Sequence, residues 1–90
     1  MKVVTKKILP EWFDAIQTGS KTYELRLADF DIEVGDILRL EEWNGQGSER
    51  KFTGRFIEKK VNHLRHVDLK SWVEEQPELL DKGFYVIGLE

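Results

Sequence analysis

The sequence predicts a β-rich α+β domain: a small β-barrel or pseudobarrel of five or six strands with two short helices at its ends. Three observations lead there. Ninety residues, 40% of them hydrophobic, suffice for one domain spanning residues 1–90 with a small core. Five segments carry β-branched or alternating patterns, against two with helical spacing. A sheet this small leaves edges unpaired, and closure into a barrel removes them.

The elements follow in order. Lys2 to Ile8 is rich in β-branched residues and reads as an opening strand. Pro10 suits a first helical turn, where its missing N–H is no loss, and Gly19 suits a helix end. Between them Trp12 or Phe13, with Ile16, docks the helix onto the sheet. Thr22 to Leu27 alternates strictly: Tyr23, Leu25 and Leu27 share one face, and Thr22, Glu24 and Arg26 share the other. Gly35-Asp36 turns into a strand from Ile37 to Trp43. Asn44-Gly45-Gln46-Gly47 is a hairpin signal, and Phe52 to Val61 is the return strand, with Gly54 marking a bulge or bend. Asp68 caps a second helix running to Gln76, and Pro77 either stops it or starts a second short turn around Leu79 and Leu80. Phe84 to Leu89 closes the domain.

Composition excludes several classes of function. The chain has no Cys, which removes disulfides, Cys-ligated zinc and a thiol nucleophile. His63 and His66 stand three apart with no third ligand in sight, so no metal and no cofactor are expected. No apolar run approaches a membrane span, and no secretory signal is visible, so no membrane partner and a cytoplasmic location are expected. A net charge of -3 argues against coating nucleic acid through bulk charge. That total hides segregation: residues 50–70 carry a net +5, between acidic blocks of -5 over residues 31–49 and -4 over residues 71–90. Arg50, Lys51, Arg55, Lys59 and Lys60 make this basic stripe, which is either an ordinary solvated face or a guide for RNA.

The most informative stretch is Gly19 to Arg26. Thr22, Glu24 and Arg26 are spaced about 6.6–7 Å apart on one strand face. If the apolar face is the core face, these three lie outside, and a Glu24–Arg26 pair there contributes under about 1 kcal/mol. If the strand lines a cleft, they converge on a ligand. Gly19-x-Lys21-Thr22-x-Glu24-x-Arg26, nine residues ahead of Gly35-Asp36, resembles the signature of the ASCH family, part of the PUA-like superfold of RNA-associated β-barrels. Ile8 to Phe13, Val34 to Leu38 and Gly83 to Ile87 are similar to further segments of that family, so the resemblance spans almost the whole chain.

The resemblance implies a cleft between the first helix and the Lys21–Arg26 strand that binds RNA or a nucleotide. One bacterial branch is an amidohydrolase that deacetylates N4-acetylcytidine, using a Lys of the Gly-x-Lys-Thr motif, a Thr three residues on, and a later Glu. Lys21 matches the Lys, Glu24 occupies the Thr position, and Glu74 or Glu75 falls where the later Glu would be. For a hydrolase acting on an N4-acylated cytidine or related nucleoside, the catalytic set is therefore Lys21, Glu24 and Glu74. A lysine becomes a nucleophile only where desolvation or a neighbouring cation removes its proton, and a carboxylate opposes that. Lys21 beside Glu24 thus reads as a recognition cation. For binding, the set is Lys21, Thr22, Glu24 and Arg26, with Trp12, Trp43 or Tyr85 as stacking surfaces. A structural or protein-interaction module is the third alternative.

Overall fold

The computed structural model describes residues 1–45, 51–68 and 82–90. Five strands and one helix occur among them: β1 (Val3–Ile8), α1 (Pro10–Gln17), β2 (Tyr23–Leu27), β3 (Ile37–Asn44), β4 (Lys51–Val67) and β5 (Phe84–Leu89). The expected second helix falls largely outside the described residues. The strands form one open, mixed sheet in the order β1-β3-β4-β5-β2. β1 and β3 are parallel, and every other pair is antiparallel. No helix among the described residues is long and apolar enough to cross a membrane.

Local chemistry accounts for α1. Pro10 stands at its start, and Gly19, with φ 83°, follows its end. Thr18 Oγ1 donates to the Asp14 carbonyl at 2.9 Å, satisfying one of the last free acceptors. Helical spacing turns Phe13 and Ile16 inward, each 1% exposed, and leaves Trp12 47% exposed. Phe13 and Ile16 each contribute about 1.5–3 kcal/mol by burial. They join Ile8, Ile32, Leu38, Leu40, Val61, Ile87 and Leu89 in one core.

β4 is the organising strand. Its first half, Lys51 to Lys60, pairs with β3, and its second half, Val61 to Val67, pairs with β5. The expected strand ended at Val61. It continues to Val67, paired with β5 from Val61 onward across a register shift between Val61 and His63. That shift breaks the alternation by which a strand is read from sequence. Gly88 makes it possible, since a Cβ there would stand 2.6 Å from Asn62 Oδ1.

A larger irregularity lies nearer the start of β4. Glu41 is opposite Phe56 and Trp43 is opposite Phe52, so Thr53, Gly54 and Arg55 together face the single residue Glu42. Gly54 takes φ 94°, the left-handed conformation that the bulge requires. The bulge sends Thr53 and Arg55 to Glu42, which is 3% exposed. Thr53 Oγ1 donates to Glu42 Oε1 at 2.6 Å, and Arg55 donates to both Glu42 oxygens and to Asp14 of α1. Arg55 and Thr53 hold the Glu42 carboxyl below its ordinary pKa.

Asp36 does comparable work before β3. Its two oxygens accept from the backbone N–H groups of Lys2 at 3.0 Å and Glu33 at 2.9 Å, tying the start of β1 to this turn. The Lys2 N–H is the main cause that lowers its pKa.

Candidate functional site

β1 and β2 are the two ends of the sheet order, and no backbone pairing joins them among the described residues. A side chain bridges the gap instead: Arg26 Nη2 donates to the Lys7 carbonyl at 2.8 Å. Between these edges and the face of α1 lies a cleft of about 540 Å³, lined by residues that include Lys7, Trp12, Lys21, Tyr23, Arg26 and Trp43.

Glu24 is the base of this cleft. It is 3% exposed, whereas Tyr23 and Leu25 on the other face of β2 are 50% and 58% exposed. The apolar face of β2 is therefore not the core face: Glu24 is buried and Arg26 half-buried, as required if the strand lines a cleft. Burial of Glu24 is tolerable because each oxygen has a cationic donor. Lys21 Nζ donates to Oε1 at 3.0 Å, and Arg26 Nε donates to Oε2 at 2.8 Å. The end of α1 places Lys21, whose backbone N–H donates to the Ala15 carbonyl at 3.0 Å.

The aromatic walls carry cations. Lys21 Nζ lies 4.9 Å from the Trp12 ring centroid and 5.4 Å from that of Tyr23. Lys7 Nζ lies 4.1 Å from that of Trp43. Such placements use the negative face of the ring. Lys7, Lys21 and Arg26 against Glu24 leave the cleft with a surplus of positive charge, although the chain carries a net -3. A solute held here meets flat aromatic surfaces and hydrogen-bond donors of positive charge. That combination suits an aromatic anion.

The expected binding residues divide accordingly. Lys21, Glu24, Arg26, Trp12 and Trp43 line one cleft. Thr22 is exposed, and its carbonyl accepts from the Leu89 N–H at 2.8 Å. Tyr85 is placed elsewhere: its hydroxyl donates to the Phe30 carbonyl at 2.8 Å, and its ring packs edge-on to Phe30 at 5.3 Å. Glu74 and Arg50 lie outside the described residues. The rest of the basic stripe does not act as one surface. Arg55 is bound to Glu42 and Asp14, Lys60 lies 3.8 Å from Glu90, and Lys51 is exposed. Lys59 is half-buried. Opposite charges from β3, α1 and Glu90 meet Arg55 and Lys60, a pairing invisible in a linear charge count.

Two residues of consequence were not singled out from sequence. Lys7 enters the cleft from β1, and Glu42 anchors the bulge. The outward alternation of Val3, Thr5 and Lys7 was the available signal for the first. Nothing local marks the second, because its partners lie eleven and thirteen residues away.

Comparison with known proteins agrees with this architecture. The crystal structure of hypothetical protein PH0355 superposes with a TM-score of 0.67, covering 100% of this chain and 98% of that one at 19% identity, which is a likeness of fold. A protein of Escherichia phage P2, described as an uncharacterized 12.9 kDa protein in the GpA 3′ region, is 34% identical over 74 residues. That match takes in 82% of this chain and 62% of the phage protein, so the chain spans less than two thirds of its relative's length. The model of a family described as a domain of unknown function, DUF3850, matches residues 5–87, and the chain belongs to that family.

Proposed function

We propose that the cleft binds a nucleotide unit of RNA, with the base against Trp12 or Trp43 and the phosphate on Lys21 and Arg26. The observation that carries this reading is the buried Glu24, which holds both cations at 3.0 and 2.8 Å at the foot of an aromatic-walled cleft. A cleft of about 540 Å³ is within the size range of small-molecule sites. Both Glu24 oxygens are engaged, so Glu24 serves as a positioning residue, and the ligand meets the cations it orients. The resemblance of Gly19 to Arg26 to the ASCH signature supports the same reading. It also supports a PUA-like barrel whose unclosed seam, between β1 and β2, is the cleft.

The ion pair at 3.0 Å favours binding over hydrolysis, because an ammonium held by a carboxylate is a poor nucleophile. Incubation with N4-acetylcytidine at high protein concentration should release no acetate, and release would restore the amidohydrolase reading. The binding test is titration of nucleosides and ribonucleoside monophosphates, followed by amide chemical shifts. Monophosphates should bind tighter than nucleosides, and Lys21→Ala and Arg26→Ala should abolish that difference. Shifts confined to Lys51–Lys60 would overturn the assignment of the site.

A further inference from the structure

The outer face of the sheet, beside the cleft, carries a second aromatic group. Phe52 and Phe56 of β4 are 55% and 51% exposed, although a small domain gains by burying such rings. The bulge explains their placement. It takes Thr53, Gly54 and Arg55 out of the ladder, so Phe52 and Phe56 face Trp43 and Glu41, two residues apart on β3. Along β3 two residues span only about 7 Å, so Phe52 and Phe56 stand as near neighbours on that face. Trp43, directly across from Phe52, also lines the cleft. Through Trp43 and the register of β3 with β4, the row of rings starts at the cleft and extends across the sheet.

Cations flank this row. Lys7 lies over Trp43 at 4.1 Å, and the Arg39 guanidinium lies over Phe56 at 3.5 Å. Arg39 is held in that pose by Glu41 at 3.0 Å and Glu58 at 3.1 Å. Its planar group covers one face of Phe56 and itself offers a flat cationic surface there. Glu41 and Glu58 disfavour phosphate on that side, which leaves the backbone of a bound strand to Lys7 and the cleft cations.

We propose that the ligand is a single strand of nucleic acid whose first nucleotide enters the cleft and whose next bases stack on Trp43, Phe52 and Phe56. This rests on the nucleotide reading of the cleft and deepens it from a nucleotide to a strand. The chemistry favours a strand over a protein partner because the exposed groups of the row are aromatic and backed by cations. Single-strand binders combine flat rings for bases with nearby cations for phosphate. Arg55, bound to Glu42 and Asp14, plays no part in the path.

The test compares ribonucleoside monophosphates with labelled oligouridylate and oligoadenylate of one, four and eight nucleotides, and with the matching DNA strands. Affinity should rise from one nucleotide to four. Phe52→Ala/Phe56→Ala should remove that rise, by about fivefold or more per ring, and leave monophosphate affinity unchanged. Phe52→Tyr/Phe56→Tyr should keep it. The substituted rings are exposed, and an unchanged thermal midpoint confirms the fold of each variant. Monophosphate binding that is lost in Arg26→Ala, with no gain from one to four nucleotides, overturns the strand and leaves the cleft reading standing. Oligonucleotide binding that ignores Arg26→Ala overturns the cleft reading and the continuous path together. Self-association of the parent chain that disappears in the Phe→Ala variant overturns the proposal and assigns the rings to a second copy. RNA and DNA binding equally well supports recognition through stacking.

Discussion

Glu24→Gln tests the arrangement on which the cleft depends. The substitution keeps the shape of the side chain and removes its charge. Each Glu24 oxygen accepts from a cation, Lys21 at 3.0 Å and Arg26 at 2.8 Å. Hydrogen bonds to charged groups contribute about 1.5–3 kcal/mol each. Glutamine retains one acceptor and turns its amide N–H toward the other cation. The Lys21 and Arg26 side chains are 18% and 22% exposed, so water takes up part of the loss. A net destabilisation of about 2–3 kcal/mol follows. In a domain of this size that lowers the thermal midpoint by about 10–20 °C. Thermal and urea unfolding by circular dichroism measure it. A double-mutant cycle with Arg26→Gln should return a coupling of at least about 1 kcal/mol. A midpoint within about 2 °C of the parent, with additive single variants, would refute the reasoning, because Glu24 would then be buried without holding either cation.

Three more outcomes are expected. The Asp36 and Glu42 carboxyls lie below their ordinary values of 3.8 and 4.5, through the Lys2 N–H and through Arg55 respectively. Groups with lowered folded-state values stabilise fully above the unfolded value and lose that contribution as pH falls through the folded one, so unfolding midpoints should stay level down to about pH 5 and drop below about pH 4. Asp36→Asn should flatten the drop, and an unchanged acid limb would contradict this account. Gly45→Ala should move Trp43, since an added Cβ overlaps its ring, and should change tryptophan emission and oligonucleotide affinity with little loss of stability. An unaltered spectrum and affinity would remove Trp43 from the site. With three cations in the cleft, Lys7, Lys21 and Arg26, the plot of log affinity for single strands against log salt should have a slope of about -2. A slope steeper than about -4 would instead implicate the wider basic stripe.

Much of the local structure was legible in the chain. Pro10, the Phe13/Ile16 spacing and Gly19 delimit α1, because helix ends are set by nearest-neighbour chemistry. The alternation of β2 and the turn at Gly35 are equally local. The motif Lys21-Thr22-x-Glu24-x-Arg26 pointed to the site, and three of its four residues meet there. The continuation of β4 past Val61 was hidden, because a register shift destroys the periodicity by which strands are recognised.

The sequence by itself determined where α1 and the five strands lie, to within several residues at the end of β4, and, outside the irregularities of β4, which side chains share a face. Tertiary structure decided which face is inside. Alternation separates Glu24 from Tyr23 and Leu25 and is silent on which side is covered. Glu24 is inside because β2 ends the sheet against the gap before β1, where Lys21 and Arg26 compensate its charge. Tyr23 and Leu25 stay exposed because no described residue packs over them sufficiently to bury them. The same holds for Arg55, which belongs to a basic run in the chain and to a buried carboxylate in the fold. Charge and periodicity are properties of neighbours in sequence; burial and pairing depend on neighbours in space.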